Sequence, residues 1–263
     1  MPRYKLTVAY EGTSFHGWQK QLRPNGAEAA IELRTVQGVL EDTIRTTLRE
    51  PIVLTGASRT DAGVHAIGQV AAFDSQHTIP VDRLARAITS RCPEDLQVLD
   101  AEIAPAHFNP IAHAVRKEYA YVVQHASKQP PLFDRRTVWT THHTLDAERM
   151  RAAAAMLVGT HDFAGFAQIN HGRTTTVRTI FSCDVVALSP HRVQVNVCGS
   201  GFLYNMVRII VGTLVEIGRG QLPIEHIQTI LASADRSDAG PTIGPQGLCL
   251  RWIEYEIPPE DSP

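Results

Sequence analysis

Apolar and polar positions alternate across residues 5–10, which places Leu6, Val8 and Tyr10 on one face of a strand. The period then changes. Val36, Val39, Leu40, Ile44 and Leu48 recur at helical spacing over 35–49, the stripe of an amphipathic helix. β-rich runs follow at 52–57 and 68–74, then a helix from Val81 to Arg91 and a strand near 96–103. The first half therefore reads βαββαβ. The second half repeats the order, with a strand at 117–124, an alanine-rich helix from about Asp146 to Leu157, and strands at about 177–188 and 192–198 joined through Ser189-Pro190-His191. Val193, Val195 and Val197 alternate with Arg192, Gln194 and Asn196, as in a sheet with one buried and one wet face. Helices at 205–217 and 223–233 and a strand at 248–257 complete the pattern.

Two such runs predict an α+β fold of two successive ferredoxin-like units, with helices on one face of each antiparallel sheet and a central cleft formed by the other faces. Pro105 and Pro110 interrupt the pattern between Ala104 and Ala114, so the expected domains are 1–108 and 109–263. Arg23-Pro24-Asn25-Gly26 carries turn chemistry and predicts a surface excursion.

With 263 residues, 43% of them hydrophobic, the chain can bury a sizeable core. It has no run of the roughly 18 apolar residues that a membrane span needs, and its start leads straight into a strand, so a soluble, cytoplasmic protein is expected. Cys92, Cys183, Cys198 and Cys249 are scattered without a CxxC pair, which fits small buried hydrophobes better than a disulfide framework or a zinc site. His142-His143, His161 and His171 lack HExxH spacing, so no metal is expected. The 25 Lys plus Arg against 27 Asp plus Glu give a net charge of -2, no global sign of a nucleic-acid partner. Phosphate binding would need a local basic groove instead.

The segment richest in chemistry is Ser58-Arg59-Thr60-Asp61-Ala62-Gly63-Val64-His65-Ala66, a polar loop between two strand-like runs. Gly63 permits an unusual backbone angle, and Arg59 two residues before Asp61 suits an ionised carboxylate at a cleft wall. Taken alone, an Asp beside a Gly is more often a turn or capping residue.

RTDAGVHA resembles the signature of the TruA-type tRNA pseudouridine synthases, and further matches fall in family order. They include Tyr10-Glu11-Gly12-Thr13, Phe15, Gly17-Trp18-Gln19-Lys20-Gln21 and Thr35-Val36-Gln37. Later come Lys117-Glu118-Tyr119-Ala120-Tyr121, His161-Asp162-Phe163, Gly201-Phe202-Leu203 with Met206-Val207-Arg208, Val211-Gly212-Thr213-Leu214, and Ala239-Gly240-Pro241-Thr242 with Gly247-Leu248. Nearly the whole chain is covered. The resemblance implies isomerisation of uridine to pseudouridine in the anticodon stem-loop of tRNA by a homodimer without cofactor or metal.

Carried over by motif, Asp61 is the essential carboxylate, attacking C1′ of the ribose or taking a proton from C2′. Arg208, set among Met206, Val207, Ile209, Ile210 and Val211, is the expected cation that keeps Asp61 ionised; its plainer role is a snorkelling or ion-pair arginine. Tyr119 matches the tyrosine that stacks on the target base, although Tyr121 shares its strand face and either could be a core residue. Arg59 matches the arginine that enters the RNA as the base swings out, with a phosphate contact as its simpler use. Leu248 and Leu250 are expected against the uracil or in the core.

Four departures accompany these matches. Phe108-Asn109-Pro110-Ile111 stands where the family has a Phe-His-Ala-Arg run, and Thr89 where an Asn is usual. The Ile243-Gly244 pair replaces Ala-Pro, and the 22–34 segment is longer than typical. Two other classes of function compete: a non-catalytic RNA-binding protein, which would show aromatic pairs in RNP-like strands, and a glycosidase-like hydrolase, which would need a second facing carboxylate. The first finds no such run and leaves the RTD loop unexplained, and for the second only Asp61 can be nominated.

Overall fold

The computed structural model describes residues 1–25, 28–168 and 174–259. The chain forms two compact α+β units, one of Met1–Val115 with Leu250–Pro263 and the other of Arg116–Cys249.

The first unit contains β1 (Arg3–Tyr10), β2 (Leu22–Asn25), β3 (Glu28–Glu32), α1 (Val36–Leu48), β4 (Thr55–Gly56), β5 (His65–Asp74), α2 (Val81–Thr89) and β6 (Leu96–Ala104). β1 lies between β6 and β5, antiparallel to both, and β4 pairs along the other side of β5. The predicted alternation of β1 holds, with Tyr4, Leu6, Val8 and Tyr10 all buried and Tyr4 stacked on Phe73 of β5. Helix α1 begins where the Thr35 hydroxyl accepts the Gly38 N–H and ends at Arg49, which turns into the left-handed region and donates its N–H to the Arg45 carbonyl. Its buried residues Val36, Leu40 and Ile44 form the expected stripe.

The 52–57 run differs from its predicted strand, since only Thr55–Gly56 joins the ladder. Side chains from α1 take the neighbouring backbone groups instead. The Glu41 carboxylate accepts the Leu54 N–H at 2.9 Å, and the Arg45 guanidinium donates to the Ile52 carbonyl. The long 22–34 segment forms a separate antiparallel pair, β2 with β3. Of the turn expected at 23–26, Arg23 to Asn25 belong to β2 and Gly26 lies outside the described residues.

The second unit contains all but the first two residues of β7 (Ala114–Gln124), then β8 (Trp139–Thr140), α3 (Ala147–Ala155), β9 (Gly159–Asp162), β10 (Val177–Ser189), β11 (Arg192–Gly199), α4 (Met206–Gly218) and α5 (His226–Ser233). β7, β11, β10 and β9 follow one another as antiparallel neighbours, and β8 runs parallel to β7. Helix α4 is apolar nearly all round, the mark of a helix inside a core, and only Arg208 and Glu216 on it are not buried. Strand β12 (Leu248–Tyr255) then leads the chain back to the first unit.

That return moves the boundary from the expected 108/109 to 115/116. The Tyr255 ring meets Phe108 edge-on at 5.1 Å, its hydroxyl donates to the Pro110 carbonyl, and the Glu256 N–H donates to the His113 carbonyl. Residues 109–115 are thereby bound into the first unit, which is discontinuous in sequence. Among the described residues no helix is long and apolar enough to cross a membrane. All four cysteines are free thiols, with Cys183 and Cys198 buried. His171 lies outside the described residues.

Candidate active site

The loop bearing Asp61 joins β4 to β5 and is shaped by backbone contacts with residues 10–18. The Trp18 N–H donates to the Thr60 carbonyl at 3.0 Å, the Gly63 N–H to the Phe15 carbonyl, and the hydroxyls of Tyr10 and Thr60 share a hydrogen bond of 2.8 Å. Gly17 has φ of +86°, and a Cβ there would sit 2.7 Å from the Thr60 carbonyl oxygen, so the approach admits only glycine. Gly63 has φ of +80°, the unusual angle its sequence context suggested, and the Val64 N–H closes the turn onto the Asp61 carbonyl. Gln69, buried in β5, holds the other end of the loop. Its amide donates to the Ser58 carbonyl at 2.6 Å and accepts the Ser58 N–H. These contacts leave the Asp61 side chain half-buried and Arg59 exposed.

Arg208 stands in the first turn of α4 and is half-buried. Its Nε donates to the Ile243 carbonyl at 2.8 Å and its Nη1 to Asn205 Oδ1 at 2.6 Å. The 239–244 loop reaches this position because α4 carries Gly212, where a Cβ would collide with the Pro241 carbonyl at 1.9 Å, and because Thr213 accepts the Gly240 N–H. The Val-Gly-Thr and Ala-Gly-Pro-Thr motifs thus make one close approach. The Ile243-Gly244 departure supplies backbone carbonyls, a role that tolerates a change of side chain.

The structure separates the two tyrosines that periodicity could not. Tyr121 is wholly buried, and its hydroxyl donates to the Gly244 carbonyl at 2.6 Å. Burial pushes its pKa well above the usual phenol range, against a smaller opposing pull from the Arg208 charge. It is a neutral, hydrogen-bonded core residue. Tyr119 is also buried, with the Phe202 ring edge-on at 5.2 Å and an interplanar angle of 88°. Leu248 and Leu250 are buried at the start of β12.

Of the six nominated residues, Asp61, Arg59 and Leu250 belong to the first unit and Tyr119, Arg208 and Leu248 to the second. Sequence reasoning missed Gln69 and Asn205, which hold the loop and the arginine. Gln69 was detectable as the lone amide in the otherwise apolar run Val70-Ala71-Ala72-Phe73 and its flank. Asn205 carries no comparable signal. At two departures the substitute side chains do structural work. Asn109 Oδ1 accepts the N–H groups of Ile111 and Ala112, leaving Ile111 exposed and uncharged. The Thr89 hydroxyl bonds both backbone groups of Val98, beside a bulge in the β1–β6 ladder. Among the described residues no group of three or more His, Cys, Asp or Glu side chains is arranged to hold a metal ion.

The sequence profile described as tRNA pseudouridine synthase matches residues 6–110 and 153–256. A protein of Geotalea uraniireducens named tRNA pseudouridine synthase A is 43% identical over 255 residues, covering 97% of this chain and all of the relative. Its namesakes in Syntrophomonas wolfei and Myxococcus xanthus are 42% and 41% identical, covering all of this chain and 100% and 96% of their own lengths. The clamped loop, the arginine-bearing core helix and these full-length matches have one reading: the chain belongs to the tRNA pseudouridine synthase family.

Proposed function

We propose that this chain converts uridine to pseudouridine in the anticodon stem-loop of tRNA, with Asp61 as the catalytic carboxylate and Arg208 as the cation that keeps it ionised. Membership of the family makes the protein an isomerase acting on tRNA. The reaction breaks the bond from C1′ to N1, turns the freed uracil, and joins C1′ to C5, with a proton leaving C5 and one returning to N1. Its atoms balance within the nucleotide, so a carboxylate and a closed pocket are sufficient. Asp61 begins as the anion whether it attacks C1′ or takes the C2′ proton.

The observation that carries this reading is the anchoring of the Asp61 loop. Backbone bonds to Phe15 and Trp18 and the amide of Gln69 fix a half-buried carboxylate on a loop of unusual geometry, an arrangement far beyond the needs of an ordinary turn. The exposure of Arg59 suits a side chain that enters the RNA. Tyr119 is the better candidate to stack on the base, because the Tyr121 hydroxyl is already committed to Gly244. Leu248 and Leu250 would pack against the uracil. Apart from the separate β2–β3 pair, the ferredoxin-like reading is supported in the first unit by β1 lying between β6 and β5 and by β4 pairing with β5. A homodimer in the cytoplasm, needing no cofactor, completes the proposal.

Asp61→Asn tests it. The variant keeps the side-chain volume and loses the charge, so turnover on tRNA should vanish while tRNA binding in a filter assay persists. Appreciable turnover by Asp61→Asn would remove the assignment.

A further inference from the structure

The turn between β11 and α4 bears on two nominated residues of the second unit, Tyr119 and Arg208. Near its start Phe202 lies edge-on to Tyr119, and at its end Asn205 precedes the first residue of α4. Asn205 has φ of +59°, a left-handed conformation that asparagine tolerates better than most residues and that glycine adopts freely. At a helix start an asparagine side chain ordinarily accepts an N–H of the first turn, but this one makes no such cap. It is buried, and its Oδ1 accepts Nη1 of Arg208 at 2.6 Å.

A guanidinium can only donate, so this contact fixes which end of the amide is oxygen. Asn205 Nδ2 must then donate, and its acceptor is Oε1 of Gln168. Gln168 is tied to the same turn through its own N–H, which donates to the Tyr204 carbonyl at 3.2 Å. On its other side Arg208 donates Nε to the Ile243 carbonyl. Bonds from two different nitrogens to two separate segments define the plane of the guanidinium as well as its position. An arginine held at one nitrogen alone could pivot.

We propose that Asn205 is a positioning residue for Arg208: the Gln168–Asn205 amide pair and the Ile243 carbonyl hold the guanidinium in one orientation before substrate arrives. This inference rests on the reading of Arg208 as the cation that serves Asp61. The competing role for Asn205 is backbone geometry alone, and glycine separates the two. Asn205→Gly keeps the left-handed conformation at no steric cost and removes the side-chain bond to Arg208.

The test is a set of single-turnover rates on tRNA, across pH, with thermal melts of each variant. Asn205→Gly should melt cooperatively as wild type does and lose rate by roughly 10- to 100-fold, the range for one hydrogen bond to a charged group. Its tRNA affinity should stay unchanged. In an Arg208→Met background the same substitution should cost less than about twofold, because the residue it acts through is gone. Asn205→Asp restores an acceptor for Arg208, and Gln168 can turn its amide to suit. That variant should recover rate at high pH yet show an acidic limb moved upward, since the new carboxylate competes for the guanidinium charge.

A wild-type rate for Asn205→Gly beside an impaired Arg208→Met defeats the inference and leaves the reading of Arg208 standing. Equal losses with and without Arg208 also defeat it. A wild-type rate for Arg208→Met removes that reading and the inference together.

Discussion

The Asp61 loop of the first unit and the Arg208 helix of the second hold a charged group in different ways. Around Asp61 the work is done mainly by backbone: amides of Trp18 and Gly63 meet carbonyls of Thr60 and Phe15, and Gly17 leaves no room for a side chain. Arg208 stands on a regular, buried helix, and side-chain hydrogen bonds fix its head. A loop has no repeating hydrogen-bond pattern of its own, so every contact that shapes it must be supplied by neighbours. A helix sets the direction of its side chains without help and leaves only the last rotations open. Damage at the loop should therefore unfold the site, whereas damage at the helix should mistune it.

The largest effect is expected from Gly17→Ala. The new methyl group meets the Thr60 carbonyl at 2.7 Å on a backbone with φ of +86°, which should cost about 3 kcal/mol and lower the melting temperature by roughly 5–10 °C. A shift of the Asp61 loop by ~1 Å would reduce turnover by about 100-fold. A variant with wild-type melting and activity would show that the loop is not held as tightly as this geometry implies.

Arg208→Met acts on the helix instead of the loop. It should fold, since methionine suits the apolar surroundings, and it should move the acidic limb of the turnover profile to higher pH. On the proposed pairing the sign follows from removing a cation: the Asp61 carboxylate would lose the charge that favours its ionised form, and more alkaline solution would be needed to ionise it. Arg208→Lys should recover part of the shift, as a point charge replaces a planar fork. An unchanged profile for a folded Arg208→Met protein would make the arginine structural.

The smallest effect concerns a buried thiol of the second unit. The Cys183 thiol on β10 is pushed up to about 12 by burial, with a further push from the charge of Asp184. An unfolded chain ionises the same thiol near ~8.5. Because the folded value is the higher one for a group that is neutral when protonated, the contribution is intact below about pH 8.5 and declines as pH rises toward 12. Between pH 8.5 and 10 the loss should be roughly 2 kcal/mol, and Cys183→Ala should flatten that slope in denaturant titrations. Rapid labelling of Cys183 at pH 8 in the native protein would contradict its burial.

Much of this arrangement was legible in the sequence. Period-two and helical patterns gave β1, α1, α2, β6, β10 and β11, because each buries one face or stripe against its own unit, while α4 showed as an apolar run of helical length that is buried nearly all round. The two-residue strands β4 and β8 were harder, having too few positions to show a period. Ile52 and Leu54 read as strand because they are buried, yet their backbone groups answer to Arg45 and Glu41. The return of β12 to the first unit is a non-local contact that no local pattern can carry. At the site, the RTD motif singled out Asp61 and the Lys-Glu-Tyr-Ala-Tyr match singled out Tyr119, while the commitment of the Tyr121 hydroxyl to the Gly244 carbonyl is visible only in the fold. Gln69 left a trace as an amide beside an apolar run, whereas Asn205 left none: a spacing of 3 residues to Arg208 does not mark a hydrogen bond, and its other partner, Gln168, is 37 residues away.

Whether Asp61 drives isomerisation of uridine in the anticodon arm is decided by mapping pseudouridine in unmodified tRNA transcripts after incubation with purified protein. Pseudouridine should be found within the anticodon stem-loop after treatment with wild type, and none after treatment with Asp61→Asn at equal concentration. Pseudouridine confined to other parts of the tRNA, or formed equally by the Asn variant, would contradict that role.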